Sequence, residues 1–222
     1  MNERNLEPTR ILDYLSEQVR HFAHSLQPAD SQIGFLRAAH QGITEHIQPI
    51  YTIREHQPVS QTIKRGRGSC SQRLACLEAL ARSKGIGTRV RGFWVSGEFW
   101  NKRFPLSRCF IPRRVLLAWP QFWLKGAWCG VEEIFDRLEN LAEHSSAFAN
   151  NAETLFEAIR TTPVDFEGRT QGCSTNCDLS KYVVDNSGVF DTRDELFTRI
   201  GTLEETWRGR AFELLFAGRK SA

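Results

Sequence analysis

Hydrophobic positions recur at helical spacing in two stretches near the start of the chain: Ile11, Leu12, Leu15, Val19 and Phe22, then Ile33, Leu36, Ile43 and Ile47. Broken only by "QPAD", they predict a helical hairpin from Glu7 to about Ile50. "EHQPVSQTIKRGRGSC" reads as a connecting loop that carries Pro58 and ends at Ser69 and Cys70. Leu74, Leu77, Leu80 and Ala81 then stripe a helix that opens at Cys70 and stops at "SKGIG", where Gly85 is a natural left-handed helix end. The period then shortens to two. "TRVRGFWVSG" is one strand, "VLLAWPQFWL" from Val115 to Leu124 a second, and "AWCGVEE" from Ala127 to Glu133 a third. A tight turn at Lys125 and Gly126 makes the last two an antiparallel hairpin. Between the first two strands, "EFWNKRFPLSRCFIPRR" is an aromatic and basic loop placed to overhang a cleft.

The helical pattern returns in "EIFDRLENLAEH" and "AETLFEAIRTT", and the chain then reads as irregular through "VDFEGRTQGCSTNCDLSKYVVDNSGVF". A final helix is announced by "DTRDELF", with Asp191 as its cap, and Leu203, Trp207, Ala211 and Leu214 stripe the last segment. With no repeat, low-complexity tract or linker, the expectation is one α+β domain over residues 1–222. Its parts are a helical N-terminal lobe (1–57), a core of Cys-bearing helix and sheet (58–136) and a helical extension (137–222).

Composition narrows the function classes. With 41% hydrophobic and 25% charged residues, the 222-residue chain can bury one sizeable core. It has neither an apolar run that would cross a bilayer nor the apolar segment of a secretory signal, so a cytoplasmic location without a membrane partner is expected. A net charge of only +3 argues against a nucleic-acid partner. Locally, "KRGRG" at 64–68 joins Arg73, Arg89, Arg91, Lys102, Arg103, Arg108, Arg113 and Arg114 in crowding the middle third. Solvated surface charge is the plain reading. The sharper one is an anionic substrate near Cys70: a carboxylate, a phosphate or the pantetheine arm of an acyl carrier. The six cysteines read as free thiols. "CSTNC" at Cys173 to Cys177 has no second pair or nearby His, so no metal site and no cofactor are expected.

A helix opened by Cys, then "GIGTRV", then a hairpin with a Trp in each arm is the order found in the transglutaminase-like fold of the papain-like cysteine enzymes. "GSCSQRLACLEALARSKGIGTRVRGFWVSG" resembles that family's nucleophile helix and first strand, and "LLAWPQFWLKGAWCGVEEIFD" resembles its next two strands. The resemblance implies a Cys-bearing helix packed on an antiparallel sheet, with Cys70 in the nucleophile's place. Laying Trp119 and Trp128 on the family's two tryptophans puts Leu117 where the catalytic His belongs, and the third triad position falls on Glu132, beside Glu133. Only Cys70 matches in kind.

The departure matters chemically. A thiol of reference pKa about 8.5 is a few per cent thiolate at neutral pH, and the family's His lowers that value by pairing with it. Leucine cannot do so, nor can it protonate a departing amine, help worth about 10²- to 10⁴-fold. Unpaired N–H groups at a helix start, with Arg65, Arg67 and Arg73 near in sequence, are expected to lower the Cys70 pKa in its place. Gln72 and Gln121 are candidate donors to a substrate carbonyl, and Trp94, Trp100 and Trp119 candidate walls for an apolar group. Two readings follow. One is Cys70-dependent acyl transfer, or amide formation or cleavage, on a small-molecule, peptide or carrier-bound substrate. The other is a degenerate member whose cleft binds without covalent chemistry.

Overall fold

The computed structural model describes residues 1–105, 108, 111–151, 153–170 and 178–220; Cys109, Cys173 and Cys177 lie outside the described residues. The helical hairpin is present, but its first helix is short: α1 spans Glu17–Ser25 and α2 Gln32–His46. The Ser16 side chain accepts from the Val19 N–H and so sets the start of α1. Ile11 and Leu12 are buried without being helical, held by Thr9 Oγ1 donating to Asp194 (2.5 Å) and by Asp194 accepting the Ile11 N–H (3.2 Å).

After the two-residue strand β1 (Gln48–Pro49), the stretch expected to be loop contains helix α3, Val59–Arg65. Pro58 stands at its N-cap and Gly66 just past its end, the placement of these residues that suits a helix. Strand β2 (Arg67–Gly68) pairs in parallel with β1 and leads into α4, Cys70–Ser83. Ser69 and Gln72 form a reciprocal capping box: Ser69 Oγ accepts the Gln72 N–H (3.2 Å), and Gln72 Oε1 accepts the Ser69 N–H (3.1 Å). The apolar stripe understates how deep this helix lies, because every residue from Gln72 to Arg82 is buried, charged ones included. Arg82 donates to Thr88 Oγ1 (2.7 Å) and to the carbonyls of Glu7 (2.6 Å) and Asp191 (2.9 Å), tying the N-terminal segment to the sheet.

The sheet has the order β5-β4-β3-β6 and is antiparallel throughout. Strand β3 is Thr88–Ser96, β4 Arg114–Leu124 and β5 Ala127–Gly130. Lys125 and Gly126 turn with φ of 51° and 84°, the left-handed pair a two-residue hairpin of right-twisted strands requires. Pro120 fits inside β4 because β5 pairs only from Gln121 onward, which leaves one side of Pro120 without a ladder to break.

The fourth strand corrects the sequence reading. Val183–Phe190, expected to be irregular, is β6 and pairs with β3 across a break in register between Gly92 and Phe93. Asp185, Asn186, Ser187 and Gly188 have the composition of a turn, and pairing with β3 overrides it. The remaining helices are α5 (Leu138–His144), α6 (Leu155–Ala158), α7 (Arg193–Ile200) and α8 (Trp207–Phe216). Thr192, not Asp191, caps α7, accepting the Glu195 N–H at 3.0 Å; Asp191 instead accepts from Asn2 and Asn5. On α8 the buried face is Gly209, Phe212 and Phe216, whereas Trp207 is 74% and Leu214 88% exposed. The expected stripe therefore named the wrong side of that helix.

The architecture is a mixed α+β fold: α4 packs against β4, with α2 and α3 on its other sides. Among the described residues, no helix is long and apolar enough to cross a membrane.

Candidate functional site

Cys70 is the first residue of α4 and lies on the wall of a cavity of about 130 Å³. Leu117, on β4, lines the same cavity, with Val115 and Leu116 beside it. Cys70 and Leu117 thus share one chamber. Trp100, Arg103 and Phe104 from the aromatic and basic loop form another part of the wall, as do Ile111 and Pro112. Phe212 of α8 closes it, its ring 5.7 Å from that of Phe104, and Phe104 in turn lies 4.8 Å from Tyr51. Among the described residues, no histidine lines this cavity.

The surroundings of the thiol shift its pKa in the direction opposite to the one the sequence implied. Burial pushes Cys70 up to about 12, the Glu157 carboxylate adds to the rise, and Arg73 opposes it without prevailing. Arg73 is itself fully buried, paired to Glu157 and lying over the Phe156 ring at 4.3 Å, so much of its charge is answered locally. His40, the buried histidine of α2, is also out of play. Its Nε2 meets the Phe156 carbonyl at 2.6 Å, its ring stacks on Phe156 at 4.3 Å, and burial lowers its pKa to about 4.

Glu132 lies away from the cavity wall. It is buried beneath Trp119, whose Nε1 donates to it at 2.6 Å, and it meets Arg169 at 2.5 Å. Burial raises Glu132 to about 7 despite these partners. Trp119 is thus a core residue with its indole N–H satisfied. Gln121 accepts from Arg89 Nε at 2.7 Å across the β3–β4 ladder, and Trp94 carries the Arg114 guanidinium 4.5 Å from its ring. Gln72 is a strut: besides capping α4 it donates from Nε2 to the Arg54 carbonyl at 2.9 Å. Of the site residues expected from sequence, the cavity gathers Cys70 and Trp100; Glu132, Gln72, Trp94, Trp119 and Gln121 are held elsewhere.

Among the described residues, the carboxylate that does line the cavity is Glu55. Ser71 Oγ donates to it at 2.5 Å and itself accepts from Arg193 Nη1 at 3.0 Å. Arg193 is locked in the interior, with Nε on Glu78 Oε1 at 2.5 Å and Nη2 on the Ala118 carbonyl at 3.1 Å. Burial raises Glu55 to about 7, with the Ser71 hydrogen bond and the Arg193 charge pulling the other way. No sequence signal marked Glu55, because it sits in a stretch without periodicity and faces the cavity only through the path of residues 50–55.

A Cys at the head of a buried helix, facing a strand of an antiparallel sheet across a cavity, is the papain-like arrangement that the sequence led one to expect, and Leu117 lies on the wall of that cavity. The transglutaminase-like superfamily model matches residues 20–132, half of the chain, and the protein belongs to that superfamily. No curated protein and no solved structure matches it.

Proposed function

We propose that this protein is a catalytically silent member of the superfamily that binds a small apolar group in the cavity between Cys70 and Leu117. The observation that carries this reading is the pairing itself. The thiol and the residue in the imidazole's place share one chamber, and there the side chain is leucine while burial holds the thiol protonated. A cavity of about 130 Å³ suits a ring or a short acyl chain; an apolar cavity of about 150 Å³ binds benzene. The test is thermal stabilisation by hexanol. Wild type gains melting temperature, and Leu117→Trp, which fills the chamber, gains none. Alkylation of Cys70 by iodoacetamide at neutral pH is no faster than that of Cys129, itself raised to about 11. Leu117→His speeds alkylation of Cys70 about tenfold or more by supplying an imidazolium partner. Preferential labelling of wild-type Cys70 at neutral pH sinks the silent reading.

Acyl transfer is the second reading, and Glu55 is the observation in its favour. A carboxyl raised to about 7 on the same wall can take a proton near neutrality. The Cys70 sulfur would attack a thioester carbonyl, the donor thiolate would leave, and Glu55 would hold the proton released from Cys70. A thioester needs no protonation of its leaving group, unlike an amide. Incubation with S-hexanoyl N-acetylcysteamine followed by intact mass measurement separates the readings. Gain of one hexanoyl group, lost in Cys70→Ser and in Glu55→Gln, replaces the silent reading with this one.

A further inference from the structure

Residues 50–55 run between two cavities and contribute to both. Ile50 and Thr52 line the Cys70 chamber and also a second cavity of about 380 Å³. Beyond them the side chains divide: Glu55 lines only the first, Arg54 only the second. The second cavity is basic. Among the described residues, Arg54, Arg65 and Arg67 line it, against the single carboxylate of Glu213. Glu213 is committed to structure. It accepts from Thr52 Oγ1 (3.0 Å), from the Ile53 N–H (2.9 Å) and from Arg54 Nε (3.2 Å), which fixes the segment and aims Arg54. Arg65 donates to the neutral Gln57, so its charge is not cancelled, and among the described residues the Arg67 side chain makes no hydrogen bond or ion pair. Gln72 braces the arrangement by joining the Arg54 carbonyl to the head of α4.

We infer that the two cavities form one bipartite site for a phosphate monoester of a short apolar chain. The chain occupies the Cys70 chamber, the ligand crosses the rim at Ile50 and Thr52, and the phosphate is held by Arg54, Arg65 and Arg67. This rests on the apolar-binding reading of the chamber and adds the anion. Guanidinium forks match phosphate geometry, and an excess of two positive charges beside an apolar chamber favours a dianion over a neutral head group.

Calorimetric titration with hexyl phosphate, hexanol, hexanoate and inorganic phosphate, at low salt, tests it. Hexyl phosphate binds at least tenfold tighter than hexanol, hexanoate or inorganic phosphate, and added salt weakens it. Arg65→Gln with Arg67→Gln, both on exposed side chains, reduces hexyl phosphate to the affinity of hexanol and leaves hexanol unchanged. Leu117→Trp removes hexanol binding and keeps that of inorganic phosphate. If hexyl phosphate binds no tighter than hexanol while hexanol still binds, the bipartite site is overturned and the chamber reading stands. If inorganic phosphate binds and hexanol does not, the chamber reading falls and the bipartite site with it. Hexanoate matching hexyl phosphate overturns the assignment to phosphate.

Discussion

Cys70 and Leu117 share one chamber, and they differ in how they could be read. The tryptophan spacing of the hairpin drew attention to Leu117, and it lines the chamber that Cys70 also lines. The state of the Cys70 thiol was not legible. Arginines close in sequence suggested a lowered pKa, whereas desolvation, a property of the assembled interior, raises it to about 12. Glu55 is hidden for the same reason, and it yields a prediction. Its carboxyl is raised to about 7 in the folded chain from an ordinary value of 4.5, so the native state keeps a proton that the unfolded state releases. Its contribution is therefore full below pH 4.5 and is lost as pH rises toward 7, by about 1.4 kcal/mol per pH unit. Glu55→Gln should accordingly gain on wild type from pH 5 to pH 7 in urea denaturation. A difference between the two that stays constant with pH would contradict the assignment.

Elements whose signals are local were read well. The helix of Cys70 and the hairpin turned by Lys125 and Gly126 lie where periodicity and turn chemistry place them. The buried face of α8 was misread because Phe212 and Phe216 pack against Phe104 of a distant loop, which no pattern within the helix reveals. At the head of α4, the capping box of Ser69 and Gln72 satisfies two backbone N–H groups where the helix meets the chamber. Ser69→Ala should cost about 1 kcal/mol in chemical denaturation. Gln72→Ala should cost more, since it also frees the Arg54 carbonyl. Equal or negligible losses would mean that α4 is held by packing alone.

Across the whole molecule, the buried pair of Arg193 and Glu78 joins α7 to α4, and through Ser71 and the Ala118 carbonyl it reaches the chamber wall and β4. Arg193→Met should destabilise by about 3–5 kcal/mol, because it strands Glu78 in the interior, and adding Glu78→Gln should recover part of the loss. An Arg193→Met protein as stable as wild type would remove the pair from the structural account. The sheet shows a different long-range dependence. Strand β3 pairs on one side with β4, its near neighbour, and on the other with β6, so that Val90 faces Phe190. During synthesis β3 therefore leaves the ribosome long before the strand that covers its second edge. Over that interval the nascent chain carries an open row of backbone donors and acceptors along its central ladder, which makes closure by β6 a late folding step and the point of greatest exposure to association between chains.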